Sequence, residues 1–273
     1  MKVARNRRKQ VILLAAIFLV AGALCFFLLR PVSGLSGMRI VLAGDSRSST
    51  DYTFYKTTLE RKTGGQVLVK GESGKTAAYN ASDEYFSAIT EDDHEFSIWL
   101  VGGNDDGRAG SVGTFSAASS LGKAGEPVVT ETDLSKDYDG NTFIQAIDHI
   151  MRKYKAEYDG RKNGKGRIPV MIFCTDLPQQ RESKDSPWSR KENWERKRQA
   201  ILECCEKNGV CCLDLYELCG FDMDREPIYT EPTDTENNRG EYYMDGLHPN
   251  EKGIDRITDL EIEMMKQCLN QST

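Results

Sequence analysis

The chain has 273 residues, 39% of them hydrophobic, and once an N-terminal apolar segment is set aside about 240 remain, enough for one sizeable core in a single domain. Residues 1–30 hold six basic residues and no acid, so the overall charge of −6 leaves residues 31–273 at −12. An acidic body of this kind excludes a nucleic-acid backbone as the main partner, since phosphate binding needs clustered Lys and Arg, and leaves small neutral or sugar-like substrates open.

In chain order, residues 1–10 form a basic tail and residues 11–29 an unbroken apolar run of 19 residues. At about 1.5 Å per helical residue, the run spans a hydrocarbon layer of about 30 Å. Five basic residues precede it, which places the tail in the cytoplasm and the body outside the cell membrane. A cleaved signal peptide is the competing reading, because Ala21-Gly22-Ala23 resembles a small-x-small cleavage site. Cutting there would leave a strongly apolar new terminus, so an uncleaved single-pass anchor is the expectation. Residues 30–37, rich in Pro, Gly and Ser, form a short linker to a domain over 38–273.

Residues 38–43 are a compact apolar run, the pattern of a buried parallel strand, and open into Gly44-Asp45-Ser46. A helix is expected over 51–62 and a short strand over 66–70, followed directly by Gly71-Glu72-Ser73-Gly74. A helix over 78–89 and an apolar strand over 96–101 then deliver Gly102-Gly103-Asn104-Asp105. Residues 106–127 lack a period and read as a long loop. Apolar residues at Phe143, Ile144, Ile147, Ile150, Met151 and Tyr154 give 141–158 the spacing of an amphipathic helix. Residues 167–174 read as a strand, 193–207 as a helix, 210–216 as a strand and 222–243 as a polar loop leading into Asp245-Gly246-Leu247-His248-Pro249. A closing helix over 250–269 takes Asn250 as its N-cap. Strands alternating with helices predict a parallel sheet covered on both faces, where ligands bind beyond the strands' carboxyl ends.

A serine hydroxyl is a weak nucleophile and needs a base within hydrogen-bond reach, itself oriented by a third group. Ser46 and His248 fill the first two roles, and Asp245 the third. The chain has three histidines; His149 reads as ordinary helical surface, and His94 lies among acids in a loop far from any candidate nucleophile. The oxyanion of an attacked carbonyl needs donors where its charge develops. The backbone N–H groups of Ser46 and Gly74 and the side-chain amide of Asn104 are assigned to it. Asp45, Arg47 and Asp105, flanking these residues, are candidate substrate contacts. Gly74-Lys75-Thr76 imitates the end of a phosphate-binding loop, but Val69 stands where that motif needs glycine. Asn80-Ala81-Ser82 matches a glycosylation sequon. Seven cysteines follow the apolar run; buried thiols are the plain reading, and one disulfide within 204–219 the sharper one. Their spacing fits no zinc motif.

The four motifs, in this order and across residues 38–268, resemble the SGNH hydrolase family, also called the GDSL esterase/lipase family. Ser46 matches the nucleophile of its first block, Gly74 the glycine of the second, Asn104 the asparagine of the third, and Asp245 and His248 the pair of the last. The resemblance implies a three-layer α/β/α sandwich of flavodoxin-like type and acyl transfer through serine, with no metal and no cofactor. Arg47 departs from the family, which usually has Leu or another apolar residue there, and the insertion after Asp105 is expected to contribute to the substrate wall. The expected substrate is an acetyl or short acyl ester on a carbohydrate or cell-wall polymer. Lysophospholipid or thioester hydrolysis, O-acyl transfer and a non-catalytic tethered binding module are the alternatives.

Overall fold

The computed structural model describes residues 34–51, 53–119, 121, 125–164, 166–178, 191–222 and 240–271. The membrane helix expected over 11–29 lies outside these, as does most of 222–243; among the described residues no helix is long and apolar enough to cross a membrane.

Five strands, β1 (Arg39–Gly44), β2 (Gln66–Val69), β3 (Phe96–Leu100), β4 (Val170–Cys174) and β5 (Cys211–Leu213), form one sheet in the order β2-β1-β3-β4-β5. Every pairing is parallel, with Leu42 opposite Val69 and Ile98, and Leu100 opposite Cys174. This is the strand order of flavodoxin-like sheets. Because side chains alternate across a strand, each apolar run feeds two cores. Val41, Ala43, Trp99, Met171 and Phe173 face one side, against Tyr85, Ile89, Ile147, Met151 and Ile201. Ile40, Leu42, Ile98, Leu100 and Ile172 face the other, against Tyr55, Leu59, Ile254, Ile257 and Met265.

The first core lies under α2 (Ala77–Asn80), α3 (Asp83–Thr90), α4 (Phe143–Glu157) and α5 (Lys191–Asn208); the second lies under α1 (Thr53–Thr63) and α7 (Glu251–Gln271). The helix expected over 78–89 is divided in two. Ser82 accepts a hydrogen bond from Tyr85 N (3.4 Å) and starts α3, with Asp83 and Glu84 in its first turn. The strand expected over 210–216 stops at Leu213, and α6 (Leu215–Leu218) follows. Asn250 caps α7 as expected, its Oδ1 accepting from Gly253 N at 3.0 Å.

The loop after Asp105 is organised by one carboxylate. Glu126, 5% exposed, accepts from the N–H groups of Gly110 (3.0 Å), Val112 (3.1 Å) and Gly113 (2.8 Å). The loop then packs on α4 through Ser111 O and Val112 O, and on α5 through Thr114 and Glu203. Asp106 and Ser111 of the loop also line a cavity of about 240 Å³ together with Asp105 and Tyr138.

Candidate active site

The motifs follow the carboxyl ends of β1, β2 and β3, and the loop before α7 brings the fourth to the same edge. Ser46 opens a single turn of 3-10 helix whose N-cap is Asp45. Its Oγ lies 2.9 Å from His248 Nε2, and His248 Nδ1 lies 2.6 Å from Asp245 Oδ2. The other carboxylate oxygen of Asp245 accepts from the backbone N–H groups of Leu247 (2.9 Å) and His248 (2.6 Å). One aspartate therefore shapes the turn and orients the ring. Burial raises the Asp245 carboxyl, but the hydrogen bond and charge of His248 and the two backbone donors outweigh it and leave it below the ordinary carboxylate value. With Nδ1–H given to Asp245, Nε2 is the atom left to accept the Ser46 proton. The turn is tied down by Met244 N, which donates to His248 O (2.9 Å), and by the Tyr243 hydroxyl, which donates to Pro178 O.

In the second motif Gly74 has φ +76° and nothing within 4 Å of where a Cβ would stand, so a ligand can approach its backbone closely. The N–H groups of Ser46 and Gly74 meet no acceptor among the described residues. Asn104 donates one amide N–H to Lys75 O (3.0 Å), which links the second motif to the third and leaves its other N–H available.

Asp45 and Arg47, expected to touch substrate, are instead buried, 0% and 2% exposed. Arg47 donates to Asp45 through Nε (2.9 Å) and Nη2 (2.5 Å), and to Asp176 through Nη1. Asp45 also accepts from Gly103 N at 2.9 Å. A Cβ on Gly103 would stand 2.8 Å from that carboxylate, so the approach needs glycine. Burial raises the Asp45 carboxyl, yet Arg47 outweighs it and holds it below its ordinary value. On the far side of Asp176, Lys197 Nζ lies at 3.4 Å, donates to Gly102 O and sits 3.7 Å over the Trp194 ring. Alternating buried charges thus run from Asp45 through Arg47 and Asp176 to Lys197 and grip both glycines of the third motif. Asp105, the third expected contact, accepts from Ala77 N (2.9 Å) at the start of α2; burial, set against the charge of Lys197, raises its carboxyl to about 6.

Asp176 and Lys197 escaped the sequence reading. Asp176 stands two residues beyond β4, a position that mirrors Ser46 beyond β1, and that placement was a usable signal. Lys197 lies in a helix full of charged residues and gave none. Two other supports were also missed: Tyr85 OH accepts from Gly44 N (2.8 Å), and Asn80 Nδ2 donates to Gly44 O (3.4 Å). Asn80 is fully buried, so its sequon offers no accessible acceptor for a glycan. His149 is buried, not on the helix surface as expected, with Nδ1 2.7 Å from Thr132 Oγ1. His94 is buried as well, with Nε2 2.9 Å from the Tyr154 hydroxyl, which leaves His248 as the histidine at the site. None of the seven described cysteines is in a disulfide, so the one expected within 204–219 is not formed here.

A parallel α/β sheet with serine, histidine, aspartate and open backbone donors at its carboxyl edge defines the hydrolase class. The model of the GDSL-like lipase/acylhydrolase family matches residues 41–256, and the chain belongs to that family. It is an ester-hydrolysing enzyme. A search of curated proteins finds no match. Among solved structures, one described as a possible lipase from Chitinophaga pinensis is similar at 16% identity, with a TM-score of 0.57 over 85% of this chain and 98% of that one. A protein from Lactobacillus plantarum is similar at 18% identity, with a TM-score of 0.53 over 85% and 98% of the two chains. At these identities the likeness is one of fold.

Proposed function

We propose that the protein is a membrane-anchored, extracytoplasmic serine esterase that removes acetyl or short acyl groups from a carbohydrate or cell-wall polymer. The observation that carries this reading is the chain of contacts from Ser46 Oγ to His248 Nε2 (2.9 Å) and from His248 Nδ1 to Asp245 (2.6 Å). His248 takes the Ser46 proton as Oγ attacks the ester carbonyl, and Asp245 stabilises the imidazolium. The oxyanion is held by the N–H groups of Ser46 and Gly74 and the free amide N–H of Asn104. His248 returns its proton to the leaving alcohol, then activates a water molecule that cleaves the acyl-serine.

The polymer substrate is favoured by the direction of β1. The chain enters that strand near Met38 and leaves it at Gly44, two residues before Ser46; six strand residues at about 3.3 Å each hold the site about 20 Å from the start of the domain. The candidate site and the residue where the domain begins thus lie at opposite ends of β1. The test is hydrolysis of nitrophenyl acetate, butyrate and octanoate by the full-length protein in detergent beside Ser46→Ala. The expected result is activity falling with chain length in the wild type and lost in the variant. Equal rates for the two proteins would overturn the serine mechanism, and a preference for octanoate would overturn the short-acyl assignment.

A further inference from the structure

Cys211 opens the edge strand β5, and Cys268 lies in the last turns of α7. Their Sγ atoms are 2.8 Å apart, within about 1 Å of a covalent S–S bond of about 2.05 Å. Little backbone movement separates this pair from a crosslink. The Cys268 thiol donates to Cys211, and that hydrogen bond, working against burial, draws Cys211 down to about 7; the same contact pushes Cys268 up. One sulfur is thus a ready nucleophile and the other a resolving thiol. Cys211 is also reachable, because it lines a groove of about 320 Å³ with Tyr154, Tyr158, Ile168 and Val210, of which Ile168 is 52% exposed. Cys174 and Cys204 differ on both counts: they are fully buried, and burial pushes their thiols up.

We propose that Cys211 and Cys268 are a disulfide-forming pair, closed by a disulfide oxidant, that staples the C-terminal end of α7 to the edge of the sheet. The Cys211 thiolate attacks one sulfur of the oxidant's disulfide; that S–S bond breaks and one oxidant thiol leaves. Cys268 then gives up its proton and attacks the Cys211 sulfur, which expels the second oxidant thiol. Two protein thiols lose two electrons and two protons, and the oxidant's disulfide becomes two thiols. The loop closed in this way contains His248 and Asp245, and α7 begins three residues after His248. The staple therefore secures the helix that follows the base, chiefly by restricting the unfolded chain. It does not depend on the esterase reading.

The experiment treats reduced full-length protein in detergent with oxidised glutathione, alkylates the remaining thiols, and maps the unreduced digest by mass spectrometry with fragmentation that separates Cys211 from Cys212. The expected product joins Cys211 to Cys268 and disappears on reduction. Oxidation should raise the thermal midpoint of the wild type by about 5 °C or more. Cys268→Ser should lose that rise while matching the reduced wild type. The inference is overturned if both thiols stay alkylatable, if glutathione remains on Cys211 without displacement, or if Cys205 and Cys212 are joined in place of this pair. Should Cys268→Ser fail to fold, the wild-type map alone decides.

Discussion

The Ser46, His248, Asp245 cluster and the charged chain beneath it use similar residue types in opposite settings. At the edge, Ser46 and Asp245 are partly exposed and the His248 side chain is 13% exposed. Each polar atom keeps a partner or an opening, and a charge that appears during reaction can be met. Below, Asp45, Arg47, Asp176 and Lys197 are 2% exposed or less, and each charge is answered by an opposite one. Removing one member there strands another in a medium that cannot solvate it. The upper group is arranged for a change of charge and the lower group against one. Substitutions in the first should therefore cost rate, and those in the second should cost stability.

Five substitutions would break or sharpen that division, taken from the largest effect down. His248→Ala should lower kcat by about 10⁴-fold or more with an unchanged unfolding midpoint in urea; a comparable loss of stability would erase the contrast. Asp176→Ala leaves Arg47 and Lys197 without their shared carboxylate and should cost about 3–5 kcal/mol in the same urea titration. Arg47→Leu should likewise destabilise, and a changed acyl-chain preference without that loss would restore Arg47 to the substrate site. Asn104→Ala removes one oxyanion donor and should reduce kcat by about 10²–10³-fold. Since Asn104 also donates to Lys75 O, a stability loss of about 1 kcal/mol should accompany it.

The fifth substitution tests a buried acid far from the chemistry. Burial raises Glu261 to about 8 against the weaker pull of Tyr55 and Lys62, and its Oε2 has no hydrogen-bond partner among the described residues. Because the folded value lies above the unfolded one, the stability it confers is complete below about pH 4.5 and is lost as pH rises through about 8. Glu261→Gln, which keeps an acceptor for the Tyr55 hydroxyl, should flatten the decline in thermal midpoint that the wild type shows between about pH 5 and 8. An unchanged decline would place the sensitive group elsewhere.

The sheet was legible because buried parallel strands are short apolar runs, and Met38, Phe96 and Pro169 each stand at the head of one. Ser46, His248 and Asp245, the proposed nucleophile, base and orienting acid, were legible because such chemistry forces residue types into fixed short motifs. The partners of those motifs were not, because burial is a tertiary property. Arg47 next to the candidate nucleophile Ser46 looks like a substrate contact until Asp45 and Asp176 are seen on either side of it. Ser82 divided an expected helix because a capping hydroxyl competes with helix continuity, and only the packing of Tyr85 under Gly44 decides between them. Glu126 made an aperiodic loop regular through three backbone donors that no sequence period records.

The central claim is that Ser46 carries the acyl group. Brief reaction of the full-length enzyme with nitrophenyl acetate, acid quenching and peptide mass mapping should find one acetyl group, on Ser46, absent from Ser46→Ala and accumulating slowly in His248→Ala. An acetyl group on any other residue of the working enzyme, or full turnover with Ser46 unmodified, would contradict the account.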